Sequence, residues 1–311
     1  MGKRAPVQDV ALRHTVRRGL GLLRHNLVAA STLRRYRMHA MWFLQWVLLS
    51  GISIGNNFEE LNDQLEDYLE FLWDSNCALS IASNTLSGVQ YLVKGRGHFV
   101  NAWRLHSVWR NKEPPVRAPP MSQTMVLAMS MYALQKQEIG FALSPMLGFH
   151  CFLRTGELLA LTKRHVVFNH DVQRAVITLG WTKGGKRRGH QEYVVLEDER
   201  TLRFLWHVLQ SHDDGHLICD CSATTWRLKY DRTVEALGMS WLGIKPYSLR
   251  RGGSTWFFQQ CGSLDLTMER GRWAHSKTSQ SYIMEGVAAM QTACLPSELE
   301  NNWSYLAKLW G

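Results

Sequence analysis

No stretch of this 311-residue chain approaches the roughly 20 consecutive apolar residues that a bilayer span requires. The best candidate, MWFLQWVLLSGISI, is too short and carries a glycine. The N-terminus lacks the apolar segment of a secretory signal, and Pro6 stands where a myristoylation motif needs Ser or Thr. Cysteine is sparse. Cys77, Cys151, Cys219, Cys221, Cys261 and Cys294 form no C-x-x-C, which argues against a redox motif and a disulfide framework. Internal repeats and low-complexity tracts are absent as well. The expectation is a soluble, intracellular protein with reduced thiols.

Acidic residues are missing from one end. The first 58 residues hold nine Lys and Arg against Asp9 alone, which accounts for most of the net charge of +10. A basic arm of this kind favours a polyanion, with DNA the commonest candidate. The alternatives for the same arm are a transit-type presequence, which is also Arg-rich and acid-poor, or a solvated tail.

What is present is material for two cores: 45% of the chain is apolar, with 13 Trp, and a single core seldom grows past roughly 250–300 residues. Residues 1–30 read as the basic arm. Residues 31–110 read as a small helical domain. Ser31 or Thr32 is placed to cap a helix with apolar positions Leu33, Tyr36, Ala40, Phe43, Leu44 and Val47. Asn57 and Glu60 form a capping-box pattern ahead of the stripe Leu61, Leu65, Tyr68, Leu69 and Leu72. Ala82, Leu86, Val89 and Val93 give a third helix, and residues around 99–109 a fourth. Arg34, Arg35 and Arg37 on the first helix are candidates for DNA contact. Residues 111–121, NKEPPVRAPPM, hold four of the eight prolines and read as an extended linker.

Residues 122–290 read as a second, α+β domain. Ser122 caps its first helix. Strand patterns at 175–181 and 192–196 flank WTKGGKRRGH, a basic hairpin turn. Asp198 and Ser222 are placed as N-caps, and Ser297 with Glu300 as a capping box for a last helix in residues 291–311. That helix has an apolar face of Trp303, Leu306, Leu309 and Trp310, for docking on a neighbouring subunit or on its own domain. Gly252 and Gly253 sit in a helical pattern, where each costs roughly 1 kcal/mol relative to alanine. Close packing, backbone approach to DNA or a kink would account for them.

Two stretches carry chemistry. FLRTGELLAL sets Arg154, Glu157 and Leu161 in an R-x-x-E-x-x-x-L pattern. YSLRRGGSTWFFQQCGSLDLTMERGRWAHSKTSQSY sets Arg250 three residues after Tyr247, Trp273 23 after Arg250, and Tyr282 nine after Trp273. Cleaving a phosphodiester without a metal needs a nucleophile, cations on the non-bridging oxygens and an acid for the leaving oxygen. Arginine suits the second role, because its planar fork grips phosphate bidentately and stays charged.

Together these positions resemble the tyrosine site-specific recombinases of the phage-integrase type. The resemblance covers roughly residues 30–290. It implies a helical core-binding domain and a catalytic domain of the DNA breaking-rejoining fold, clamped around DNA and working as a tetramer on two duplexes. It implies Arg154 and Arg250 as the phosphate clamp and Tyr282 as the nucleophile that forms a 3′-phosphotyrosine and releases a 5′-hydroxyl. No metal, cofactor or ATP enters that chemistry. It implies Lys183 as the acid for the leaving oxygen, with Lys186 the other lysine of the turn and Lys186, Arg187 and Arg188 contacting DNA. Trp273 stands where other members carry histidine or tryptophan, and its indole can donate one hydrogen bond. Glu157 and Arg251 are supporting residues, and Tyr282 is expected to begin a short helix ending near Gly286.

Tyr247 is a departure, since the family's second box usually begins with histidine. A phenol, with an ordinary pKa of about 10, is a poor base at neutral pH, but it can hydrogen-bond phosphate or the nucleophile. Three readings of function follow: a recombinase or integrase, a DNA-binding protein of the same fold without activity, or a type IB topoisomerase-like enzyme. A zinc site at His212, Asp213, Asp214, His216, Cys219 and Cys221 is the rival constellation. Its C-x-C spacing is not that of a finger, and HDDG reads as a polar turn.

Overall fold

The structure is a computed structural model that describes residue 18 and residues 27–169, 173–180 and 191–309. Most of the basic arm, Lys183, Lys186, Arg187, Arg188 and Trp310 lie outside the described residues. The chain divides between Val116 and Arg117 into two compact units. No described helix is long and apolar enough to cross a membrane.

The first unit contains α1 (Ala30–Leu49), α2 (Phe58–Asp74), α3 (Leu79–Leu92) and α4 (Val100–Lys112). α1 packs on α3 and α2 on α4, closing a core of Phe43, Val47, Leu65, Leu69, Leu86 and Phe99. The start of α1 corrects the sequence expectation. Ala29, not Ser31 or Thr32, precedes the helix, and its carbonyl accepts the first helical bond from Leu33 N–H at 2.9 Å. The cap at Asn57 forms: its side chain accepts from Glu60 N–H at 2.9 Å, and the Glu60 carboxylate accepts from Asn56 N–H at 2.8 Å. Arg34, Arg35 and Arg37 are exposed on α1.

The second unit is built on α5 (Gln123–Gln135) and α6 (Ile139–His150), both largely buried. Ser122 caps α5, and Ser144 repairs the bond that Pro145 cannot make, its hydroxyl donating to the Phe141 carbonyl at 2.7 Å. A one-turn helix α7 (Thr155–Leu158) leads to a three-stranded antiparallel sheet. Its order is β1 (Val166–Asn169), β2 (Arg174–Gly180), β3 (Glu192–Leu196). Ala175, Ile177, Val194 and Leu196 face the core, as alternation requires. β1 is only four residues long, too short for its pattern to separate from the preceding turn.

The remaining helices are α8 (Glu199–Gln210), α9 (Ala223–Ala236), α10 (Tyr247–Cys261), α11 (Leu264–Gly271), α12 (Ser276–Gln280), α13 (Glu285–Ala293) and α14 (Ser297–Lys308). Asp198 and Ser222 cap α8 and α9. The box expected at Ser297 does not form, because Pro296 occupies the cap position and Ser297 is already helical. α14 packs on α5 of its own unit. Trp303 is buried, and its indole N–H donates to the Leu237 carbonyl at 2.9 Å.

α10 crosses α6 at the glycine pair. A Cβ on Gly252 would lie 2.0 Å from the Met121 carbonyl oxygen, and one on Gly253 2.0 Å from that of Phe149. Close packing against the chain's own backbone therefore accounts for both glycines.

Candidate active site

Three turns, each following a helix, meet beside α10. The first is the end of α6, where Phe152 turns into the left-handed region (φ 49°) before Arg154 opens α7. The second is the end of α11, where Arg272 is also left-handed (φ 56°) and Trp273 follows. The third is the turn after α12, which carries Tyr282.

Arg250 stitches the first two together. Its side chain is fully buried, Nη1 donates to the Phe152 carbonyl, and Nη2 donates to the Gly271 carbonyl at 2.6 Å. Burial pushes its pKa down to about 9, with Arg272 and Arg154 adding to the effect and Glu157 opposing it; the group stays charged at neutral pH. Arg154 is more open, with 39% of its side chain exposed. Its Nη1 donates to Glu157 Oε1 at 2.5 Å, and its backbone N–H donates to Oε2 at 2.9 Å. Arg272 Nη2 donates to the same Oε2 at 2.8 Å. Burial alone would raise the Glu157 pKa, but Arg272 and Arg154 outweigh it and hold the carboxyl below its ordinary value.

Tyr282, buried with 8% of its surface exposed, has its ring centroid 4.5 Å from that of Trp273 and 5.4 Å from the Arg250 guanidinium carbon. Trp273 lies 5.1 Å from the same carbon and packs on Phe152. The Tyr282 hydroxyl meets the hydroxyl of Tyr247. Arg251 sits below both rings, 5.7 Å from each centroid. The helix expected to begin at Tyr282 is not there: Tyr282 N–H bonds back to Ser279 O at 2.8 Å in the turn after α12, and the next helix starts at Glu285. His275 is exposed at the cap position of α12. Thus Arg154, Glu157, Tyr247, Arg250, Arg251, Trp273 and Tyr282 gather in one place, while Lys183 lies outside the described residues.

Sequence reasoning missed Arg272 and Glu192. Glu192 is buried, 3.7 Å from Arg272 Nε. The signal was available: Glu192 shares the parity of Val194 and Leu196 on β3, and a carboxylate on the core side of a strand calls for a cation.

Several buried donors here have no hydrogen-bond partner among the described residues: Arg250 Nε, Arg251 Nε, Arg272 Nε and Nη1, and Trp273 Nε1. Buried donors are normally satisfied. Arg272 Nε faces the Glu192 carboxylate; the rest, on neighbouring arginines in cationic excess, are suited to an anion. At the rival constellation, the rings of His212 and His216 stand 4.5 Å apart edge to face. No three His, Cys, Asp or Glu side chains converge on a metal position among the described residues.

No protein-family profile and no curated protein matches this sequence. Solved structures do. A lambda integrase fragment, a dimer bound to a COC′ core site, superposes with a TM-score of 0.61 over 84% of this chain and 91% of that one, at 14% identity. The Tn1549 transposon integrase in complex with circular intermediate DNA gives 0.58 over 87% and 96%, at 12% identity. XerH recombinase bound to its difH substrate before cleavage gives 0.50 over 74% and 69%, at 14% identity. The chain has the fold of the tyrosine recombinases. Within that fold, α10 and the turn after α12 bring Arg250 and Tyr282, 32 residues apart in sequence, against one another.

Proposed function

We propose that this protein cuts and rejoins duplex DNA as a recombinase or integrase, through a covalent 3′-phosphotyrosine on Tyr282. The observation that carries the reading is the convergence of Tyr282, Trp273 and Arg250 from separate segments into one buried cluster edged by Arg154. The Tyr282 oxygen attacks phosphorus, the bond to the 5′ oxygen breaks, and the phosphotyrosine conserves the bond energy for religation without ATP. Arg154 and Arg250 balance charge on the non-bridging oxygens, and the Trp273 indole N–H, without a partner among the described residues, donates to one of them. Lys183 protonates the leaving oxygen. Tyr247 stands where the family carries histidine; its hydroxyl orients that of Tyr282, whose proton passes to solvent as the oxygen attacks. Arg34, Arg35 and Arg37, with Lys186, Arg187 and Arg188, contact the DNA backbone, and four copies act on two duplexes.

One observation favours a second reading, a DNA-binding protein without activity. Both Nη groups of Arg250 already hold backbone carbonyls, so a phosphate meets a guanidinium that is partly committed. Covalent trapping separates the two. A random duplex pool with 5′-bridging phosphorothiolates, which release a thiol unable to reseal the break, is offered to wild type and to Tyr282→Phe. An SDS-resistant adduct in wild type that disappears in the variant supports cleavage, and sequencing the trapped DNA reports the site. A gel shift with no adduct supports the binding protein. Relaxation of plasmid that lacks the trapped site supports the topoisomerase-like alternative.

A further inference from the structure

Arg272 has features that a structural ion pair does not explain. It ends α11 in the left-handed region (φ 56°, ψ 42°), where glycine is the usual residue and any side chain adds strain. Its guanidinium is also taken out of water, with only 6% of the side chain exposed. Burial lowers its pKa, as does Arg154, while Glu157 and Glu192 oppose the shift. Nε faces the Glu192 carboxylate at 3.7 Å, yet Nη1 makes no hydrogen bond among the described residues. A residue chosen only to neutralise Glu157 and Glu192 would not need to leave Nη1 without a partner among the described residues in a buried place. It also stands beside a second buried orphan donor, Trp273 Nε1, on the next residue.

Its neighbours fix where the unused donor lies. Arg272 Nη2 donates to the Phe152 carbonyl at 3.2 Å, the same oxygen that Arg250 Nη1 holds. It shares the Glu157 carboxylate with Arg154. The three guanidiniums are thus linked through one carbonyl and one carboxylate. We propose that Arg272 is a third phosphate-binding arginine of the site, a catalytic residue whose Nη1 donates to a non-bridging oxygen of the scissile phosphate.

This rests on the cleavage reading above, and the test keeps the two apart. Full-length wild type, Arg272→Gly and Arg272→Lys are compared on a duplex recovered from the wild-type trap, with Tyr282→Phe as the blank. Arg272→Gly suits the left-handed backbone, so its urea midpoint reports whether the fold survives. The expected result is duplex binding within about threefold of wild type and adduct formation slower by about 100-fold, the scale of losing one donor to a developing charge. Arg272→Lys, which keeps the charge without the fork, recovers part of that rate. The deciding measurement places a methylphosphonate at the scissile position, which removes one anionic oxygen. Relief of the Arg272→Gly defect on this neutral linkage supports direct charge balance. An Arg272→Gly rate equal to wild type overturns the proposal and leaves the Tyr282 reading intact. A slow variant without methylphosphonate relief also overturns it, making Arg272 a positioning residue only. No adduct from wild type overturns both.

Discussion

Replacing Glu157 with glutamine keeps the shape of the side chain and removes the one carboxylate that Arg154 and Arg272 share. The Arg272 pair, at 2.8 Å with 6% and 10% of the two side chains exposed, is buried on both sides. The Arg154 pair has 39% of the arginine exposed and is discounted for solvent screening. Breaking a buried pair by removing one partner costs about 3–5 kcal/mol, since the other charge stays behind. Glutamine still accepts one hydrogen bond, so the loss expected at pH 7 is near the lower end, about 3 kcal/mol. With a urea slope of about 2 kcal/mol/M, the transition of the second unit would fall by about 1.5 M. The pH dependence supplies the sign. The folded Glu157 carboxyl titrates below its unfolded value, so its stabilisation is complete above the unfolded pKa of about 4.3 and is lost as pH falls through the lower folded pKa. Wild type and Glu157→Gln should therefore converge in acid. The assay is tryptophan fluorescence against urea from pH 3 to 7. A midpoint at pH 7 within about 0.3 M of wild type would refute the reasoning, and so would a gap that persists undiminished at pH 3.

Two further changes test the scaffold beneath the site. Gly253→Ala puts a Cβ 2.0 Å from the Phe149 carbonyl oxygen, and both partners are backbone, so α10 must shift from α6. A loss of about 3 kcal/mol or more is expected by urea unfolding, and an unchanged midpoint would show that the helices give way freely. Burial pushes His150 down to about 4, with Asp198 opposing and Arg270 assisting. Because the folded value lies below the unfolded one, this stability is present above about pH 6.5 and lost as pH falls towards 4, amounting to about 2 kcal/mol by pH 5. His150→Gln should flatten that slope; a wild-type midpoint that does not change between pH 7 and 5 contradicts it.

The parts of the site that were legible in the sequence are those fixed by spacing along regular elements. Arg154, Arg250, Trp273 and Tyr282 could be named because their two motifs resemble those of the tyrosine recombinases, and the intervals from Arg250 to Trp273 and Tyr282 are spanned by α10, α11 and α12. Helix caps with a polar side chain were legible at Asn57, Ser122, Asp198 and Ser222, where the side chain accepts the bond itself. They failed at Ala29 and Pro296, where only the backbone carbonyl serves, so no residue type announces the start. Arg272 was hidden for a similar reason. Its placement depends on a left-handed backbone that the pattern around Gly271 does not encode, and on Glu192, which is distant in sequence.

Arg250 shows why such a site must be held in a built state before any anion arrives. A guanidinium offers five N–H donors and keeps its charge, so burying it without partners would be prohibitive. Here two of those donors are met by the carbonyls of Phe152, two residues past the end of α6, and Gly271, the last residue of α11. The same bonds that make the buried charge tolerable also hold the two turns that carry Arg154 and Trp273. Arg250 is therefore a brace for the site as well as a cation within it. Arg250→Ala would remove both functions together, and a loss of DNA cleavage in that variant alone would not separate charge from architecture. Trp273→Phe is the cleaner probe. It keeps an aromatic ring against Tyr282 and Phe152 and deletes the indole donor, which has no partner among the described residues, at the cost of a smaller ring in a buried place. If that donor meets a phosphate oxygen, the variant should stay folded, with a somewhat lower urea midpoint, and keep its DNA affinity while adduct formation slows by about tenfold or more. An unchanged rate would mean that Trp273 acts through packing alone.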